Sequence, residues 1–400
     1  MDIKTLSFGC RLNALESEKI AKLLGNVIDT AILVNTCSVT GEAERQSAQT
    51  VRKLSRENPN VVIFVTGCGA TRNPTLFAKI PRTIVIDNSD KMNVQKYIDA
   101  LKMSDFGISC PKIDVFRNAE TPLSKKFVQI QNGCNHDCSY CVTRLLRGSS
   151  MSFKYDEILN EVKSATKNDF FEIVLTGVDT ASYATIENGK SFMLSDVCAS
   201  LLHDVPEMRH LRLSSIDPAS PQVPKIIDLM KKDSRFMPHL HLSMQSGSDT
   251  ILSAMRRRHN AEKLRDIIKT ANTDFQISFS ADIICGFPGE TDDLFKETLD
   301  LVNELKLINV HAFPFSPRPN TLAATMPNQV SHDTAKKRVK IISDVVRKNR
   351  LEFMKNQIGK TVSVLVEENN TGRTPDDIDV KIGGEIIPNK TICDVKLNGI

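Results

Sequence analysis

The chain has 400 residues, 40% of them hydrophobic and 25% charged, with a formal net charge of +4. That is enough length for two or three domains with real cores, and the mixed composition excludes a fibrous or disordered chain. No apolar run reaches membrane-spanning length, and residues 1–10 have neither the basic nor the apolar region of a secretory signal, so no membrane role and a cytoplasmic location are expected.

In chain order, apolar runs at residues 3–8, 31–35, 61–66 and 83–86 read as buried parallel strands. Helical patterns at 14–24 and 42–56 lie between them, which predicts an amino-terminal open parallel α/β sheet. Cys10, Cys37 and Cys68 each fall just past the end of one of these strands. Those ends share one sheet edge, where ligands bind, so three cysteines distant in sequence are expected to converge. Each alone would pass for a small buried residue.

A polar, proline-containing stretch at 118–126 marks a boundary. Six further strands are predicted at 127–131, 172–176, 210–214, 239–244, 277–284 and 309–315, separated by helices that include 156–167, 224–232, 262–271 and 292–306. Six β/α units in a row predict a partial (β/α)6 barrel. Several strands alternate polar with apolar residues: His239, His241 and Ser243 share one face, and Ser278, Ser280 and Asp282 repeat the pattern. A lumen filled by ligand explains this; an antiparallel sheet with one wet face would as well.

A basic helix is predicted at 332–355. Residues 331–360 hold nine Lys or Arg against three Asp or Glu, and Arg256, Arg257 and Arg258 form a second basic knot. Such runs usually coat solvated helix faces, so they permit RNA binding without indicating it. The acidic tail offers strands at 361–366, 380–382 and 391–397, with turns at Thr371-Gly372 and Gly383-Gly384, and reads as a small β-barrel-like domain. The predicted domains are therefore 1–117, 118–355 and 356–400.

Ten cysteines in a reducing compartment are ligands, catalytic thiols or core residues rather than disulfides. Cys134, Cys138 and Cys141 stand at C-x3-C-x2-C spacing directly after the first barrel strand, at the end where barrel enzymes keep their catalytic residues. Three thiolates can bind three irons of a [4Fe–4S] cube and leave the fourth open to a ligand. A structural zinc would need a fourth donor, and His136 inside the loop is cramped for that role. Cys110, Cys198, Cys285 and Cys393 lack paired spacing and read as structural.

The Cys134–Cys141 loop resembles the signature of the radical S-adenosylmethionine (SAM) superfamily. The segments around Cys10 (Phe8-Gly9-Cys10-Arg11-Leu12-Asn13), Cys37 (Asn35-Thr36-Cys37-Ser38) and Cys68 (Thr66-Gly67-Cys68-Gly69) resemble the methylthiotransferases within it. His239-Leu240-His241-Leu242-Ser243-Met244-Gln245-Ser246-Gly247 and His311-Ala312-Phe313-Pro314-Phe315-Ser316-Pro317-Arg318 extend the likeness, the last towards the MtaB type. The resemblance implies two [4Fe–4S] clusters, one on Cys134, Cys138 and Cys141 with SAM on its open iron, the other on Cys10, Cys37 and Cys68. It also implies SAM contacts by Tyr140, Gly177 and Gln245. The activity implied is methylthiolation of C2 of N6-threonylcarbamoyladenosine in the tRNA anticodon loop, served by an electron donor such as flavodoxin or ferredoxin and by a sulfur donor. The tail would match the family's RNA-binding TRAM domain.

Two departures stand out: Val142-Thr143-Arg144-Leu145-Leu146 replaces an Ile-Ile-Pro-like stretch before Arg147-Gly148, and Asn320-Thr321-Leu322 replaces Gly-Thr-Pro. Alternatives are a methylthiotransferase acting on isopentenyl-adenosine in tRNA or on a ribosomal protein aspartate, and, in another class, a non-catalytic iron–sulfur RNA sensor.

Overall fold

A computed structural model describes residues 2–104, 106, 124–272 and 276–399. Cys110 and most of the expected 118–126 boundary lie outside the described residues. The chain forms two compact units. The first comprises the amino-terminal residues with Gly133–His136 and Cys141–Ser149, and the second takes Asp137–Tyr140 and the remainder.

In the first unit, β1 (Asp2–Ser7), β2 (Thr30–Thr36), β3 (Ile63–Gly67) and β4 (Thr83–Val85) form a parallel sheet in the order 1-2-3-4. Every residue of β2 and β3 is buried, because both faces are covered. Ile32 and Val34 pack with Val51 and Leu54 of α2 (Gly41–Glu57). Ala31 and Leu33 pack with Ile20 and Leu24 of α1 (Arg11–Leu24) and with Tyr97 of α3 (Val94–Met103). Two-sided burial is what continuous apolar runs demand.

The second unit contains the expected six parallel strands. β5 (Lys126–Gln129), β6 (Glu172–Thr176) and β7 (His210–Leu213) form one ladder. Residues Ser215–Ile216 carry the chain of β7 onward to pair with β8 (His239–Gln245), which continues to β9 (Ser278–Cys285) and β10 (Asn309–Pro314). One hydrophobic cluster joins these strands to α4 (Tyr155–Thr166), α5 (Leu194–Asp204), α6 (Gln222–Lys232), α7 (Ala261–Ala271), α8 (Asp292–Glu304) and α9 (His332–Lys355). Leu240, Leu242 and Met244 are buried in it, while His239, His241 and Ser243 are only half-buried on the other face, as the alternation required.

Three local expectations are corrected. The first barrel strand was expected to run through residue 131, but the ladder ends at Gln129 and Gln131–Asn132 pairs antiparallel with Met151–Ser152. The Gln131 side chain explains this, because its Oε1 accepts from the N–H groups of Val178 and Asp179. A hairpin, Ala184–Glu187 with Lys190–Met193, was not foreseen, although Asn188 and Gly189 both hold the positive φ of a tight hairpin turn. In the tail, Thr371-Gly372 is no turn: Thr371–Arg373 forms a strand.

That strand, β12, lies with β11 (Thr361–Val366), β13 (Asp379–Lys381) and β14 (Ile392–Lys396) in an antiparallel sheet of open order 13-12-11-14 rather than a closed barrel. A Cβ at Gly372 would collide with Val364 Cγ1, so glycine permits the tight crossing of β11 and β12. The tail is pinned to the amino-terminal ends of the barrel strands. Arg212 donates to the carbonyls of Thr374 and Pro375 at 2.8 and 2.9 Å, and His210 Nε2 lies 3.1 Å from Ser363 Oγ. Among the described residues no helix is long and apolar enough to cross a membrane.

Candidate active site

In the first unit, Cys10 precedes α1, Cys37 follows β2, and Cys68 follows β3 at the start of a short helix, Cys68–Arg72. The local chain is shaped for close approach. Gly9 has φ +86, and a Cβ there would sit 2.4 Å from Cys37 Sγ. Gly67 has φ +90, and a Cβ there would sit 2.2 Å from Asn35 Oδ1. Only glycine meets both demands without strain. Thr36 Oγ1 laces the two strand ends together, donating to Thr66 O at 2.6 Å and accepting from Ala70 N–H at 2.8 Å.

Burial, and after it the charges of Cys10 and Cys68, push the Cys37 thiol up to about 11, against the Val39 N–H that points at its sulfur. Burial also raises Cys68, opposed by the charges of Arg147 and Lys91. The three sulfurs thus feel one another, and as thiolates they call for positive charge. Soft, clustered thiolates suit an iron–sulfur centre, so the residues fit the second cluster the resemblance implies.

A buried ionic centre that no sequence motif announces belongs to the same unit. Glu16, one turn into α1, meets Lys91 at 2.5 Å and Arg147 at 2.9 Å, all three almost inaccessible. Burial alone would raise the Glu16 carboxyl, but Arg147 and Lys91 overcome it and hold it below its usual range. Arg147 also donates to Asn13 Oδ1 at 2.6 Å, and Asn13 Nδ2 donates to the carbonyls of Phe8 and Thr36. Two cations surround one carboxylate, and the charges of Cys68 and Cys10 help to keep Arg147 protonated.

Cys134 and Cys141, both half-buried, belong to this unit as well. Cys134 N–H donates to Gly148 O at 3.1 Å, and Gly133, at φ +67, leaves no room for a Cβ against Ser149 O. Leu146 O accepts from Asn88 Nδ2 at 2.7 Å, and Asn88 Oδ1 in turn accepts from Lys91.

Cys138 lies in the second unit, where Arg257 points at its sulfur from 3.4 Å. Arg257 also donates to Ser243 O at 3.0 Å and pairs with Asp217 at 3.1 Å, with both side chains buried. Asp217 also has His259 Nδ1 3.8 Å away, pairs with Arg258 and accepts from Ala219 N–H; against burial, His259 first and then Arg257 hold its carboxyl far below the usual range. The basic knot is therefore no uniform solvated face. Arg256 and Arg258 are half-exposed, but Arg257 is part of the cysteine loop's support.

Tyr140 packs beside Phe287 and Met255, and Ser139 between it and Cys138 is held by Met255 O, Ala254 O and Ala323 N–H. The clearance at Gly177 is taken up by Gln131, whose carbonyl and Oε1 would each lie 2.9 Å from a Cβ there. Gln245 ends β8 at φ +68 beside an irregularity in the β8–β9 register, a strained position of the kind found at ligand sites. Cys198 and Cys285 are buried in the barrel's hydrophobic cluster, and burial raises both thiols, in keeping with structural roles. Among the described residues no cysteine is in a disulfide.

Comparison with known proteins agrees with this architecture. Residues 128–302 match the radical SAM superfamily, and residues 2–87 match "Uncharacterized protein family UPF0004". The threonylcarbamoyladenosine tRNA methylthiotransferase MtaB of Rickettsia prowazekii is 38% identical, covering 94% of this chain and 90% of the relative. The MtaB of Chlamydia pneumoniae is 31% identical over 99% of this chain and 95% of its own. The tRNA-2-methylthio-N(6)-dimethylallyladenosine synthase of Neorickettsia sennetsu is 29% identical over 93% of this chain and 85% of its own. Among solved structures, the radical SAM methyltransferase TsrM of Kitasatospora setae shares the fold at a TM-score of 0.58 and 14% identity, covering 78% of this chain and 68% of its own. With Cys10, Cys37 and Cys68 at the strand ends of one parallel sheet, Cys134, Cys138 and Cys141 in one loop, and relatives matching almost end to end, the chain belongs to the radical SAM methylthiotransferases of the MtaB type.

Proposed function

We propose that the chain transfers a methylthio group to C2 of N6-threonylcarbamoyladenosine beside the anticodon of tRNA. The observation that carries this reading is the second cysteine set, Cys10, Cys37 and Cys68, gathered at one sheet edge beside a buried cationic pair. A radical SAM enzyme that needs one cluster has no use for it. We read residues 1–117, 118–355 and 356–400 as the domains for the second cluster, the SAM barrel and the tail.

Cys134, Cys138 and Cys141 would hold the cluster that binds SAM, with Tyr140, Gly177 and Gln245 as SAM contacts, and Cys10, Cys37 and Cys68 would hold the other. When bound, these groups supply the radical that activates the C2–H bond and the sulfur that replaces its hydrogen. The chain's own residues hold, orient and exclude. Arg257 fixes the Cys138 loop through Asp217, and Arg147 with Lys91 offsets the charge of the amino-terminal thiolates. The wet inner face of β8 and β9 offers hydroxyl and imidazole partners to a base taken out of its stack.

On α9, Lys336, Lys337, Lys340, Arg347 and Lys348 are exposed, a strip suited to phosphates, while Arg338 is buried against Glu290 and Asp292. An electron donor such as flavodoxin or ferredoxin and a sulfur donor complete the cycle, and a tRNA substrate implies the cytoplasm.

Mass spectrometry of tRNA nucleosides from cells with and without the gene tests the proposal. Loss of the 2-methylthio form of threonylcarbamoyladenosine alone is expected. Loss of the isopentenyl-adenosine derivative, or no change in any nucleoside, would overturn the substrate or the reaction.

A further inference from the structure

The inner barrel face carries another group of ligating side chains, to which the function above assigns no metal. His241 on β8, Asp282 on β9 and His311 on β10 stand on three neighbouring strands, with Asp282 directly paired to His311 in register. Asp282 Oδ1 lies 3.1 Å from His241 Nε2 and 3.4 Å from His311 Nδ1, and the three atoms all fall within 4.8 Å of one another. Ligands that surround one ion at bond lengths of about 2.1 Å stand roughly 3.0–3.4 Å apart.

A relay of side chains backs these ligands. Ser278 Oγ lies 3.2 and 3.3 Å from the carbonyls of Pro238 and Asp376 and 2.8 Å from His239 Nδ1. Ser280 Oγ stands 2.9 Å from His239 Nε2 and 2.7 Å from His241 Nδ1, so the His241 ring is anchored through its Nδ1.

With Nδ1 of His241 engaged by Ser280, its Nε2 is the nitrogen turned to the Asp282 carboxylate, 3.1 Å away. What the two share is either a proton of the imidazole or a metal ion.

We propose that His241 Nε2, Asp282 Oδ1 and His311 Nδ1 bind one divalent transition-metal ion. Two imidazoles and one carboxylate on one side of an ion suit ferrous iron, zinc or manganese and leave coordination positions open on the lumen side. Ser280 holds the His241 ring in the orientation and tautomer that ligation needs, as hydrogen-bonded partners of metal-bound imidazoles do. The site is independent of the tRNA assignment and of both cysteine sets.

The test uses the cluster-loaded full chain under anaerobic conditions, with manganese(II) as the probe because a hard ion leaves thiolates alone. Disappearance of the aqueous manganese signal is followed by electron paramagnetic resonance. One ion per chain is expected, with binding abolished in Asp282→Asn and in His311→Gln. Ser280→Ala, which removes no ligand, should weaken binding about 10- to 100-fold. Iron content and melting temperature show that each variant is folded. The inference fails if the wild-type chain leaves manganese free at large excess, or if Asp282→Asn binds it equally well. Nitrogen NMR showing His241 protonated on both nitrogens in the presence of manganese would also refute it, naming the proton as the cation.

Discussion

Arg147 and Glu16, 131 positions apart in the chain, form a buried ion pair at 2.9 Å that ties the segment after Cys141 to the helix after Cys10. Lys91 joins from the other side, so the carboxylate is shared and one positive charge is left over for the thiolates.

Arg147→Met should destabilise the folded chain by about 3 kcal/mol, the lower end for breaking a buried pair, because Lys91 remains. Denaturant unfolding of the anaerobic protein measures it. Arg147→Lys should recover part of the loss; an unaltered midpoint in the Met variant would show that the pair contributes nothing net.

Gly9→Ala places a methyl group on Cys37 Sγ and forces alanine to φ +86. Reconstituted protein should hold about four irons where wild type holds about eight, with the cluster at Cys134, Cys138 and Cys141 retained. Iron and sulfide analysis decides, and full loading of the variant would separate Cys37 from any cluster.

Asp217→Asn removes the charge that anchors Arg257 beneath the Cys138 loop. Reductive cleavage of SAM, assayed without tRNA, should fall roughly 100-fold, the scale of a small misplacement at a reacting centre. Arg257→Lys should fall similarly, since a point charge cannot span Ser243 O, Asp217 and Cys138 together. Cleavage at the wild-type rate in both would reduce these residues to scaffolding.

Burial raises the Asp376 carboxyl to about 6, against Ser278 and the charge of Arg212. Its ordinary value lies near 3.8. The folded state thus prefers the protonated form: its contribution is fully favourable below the ordinary value and is lost as pH rises through about 6. Asp376→Asn should therefore stabilise the chain at pH 8, by roughly 1–3 kcal/mol, and scarcely at all at pH 4. Melting curves at the two pH values would expose the opposite trend at once.

Both parallel sheets were legible because two-sided burial writes itself as unbroken apolar runs, and β8 and β9 betrayed their wet face by alternation. The places of Cys10, Cys37 and Cys68 in the fold were legible for a related reason, since strand ends locate a sheet edge, whereas Cys134, Cys138 and Cys141 stand out by spacing alone. Arg147 was not, because nothing near it in the chain names a carboxylate 131 residues away. Arg257 reads in the sequence as one of three solvated arginines, yet its side chain is buried. Arg256 adopts a left-handed φ of 57°, which takes Arg257 off the line of the preceding helix and into the interior. The tail misled differently: Gly372 looked like a turn, whereas its missing side chain lets two strands cross closely.

The loop Thr374–Ile378 lies across the starts of the barrel strands, gripped by Arg212 and Ser278. Cutting the chain ahead of residue 361 would therefore unseat more than the tail, because the buried guanidinium of Arg212 would lose both of its carbonyl partners at the foot of the barrel.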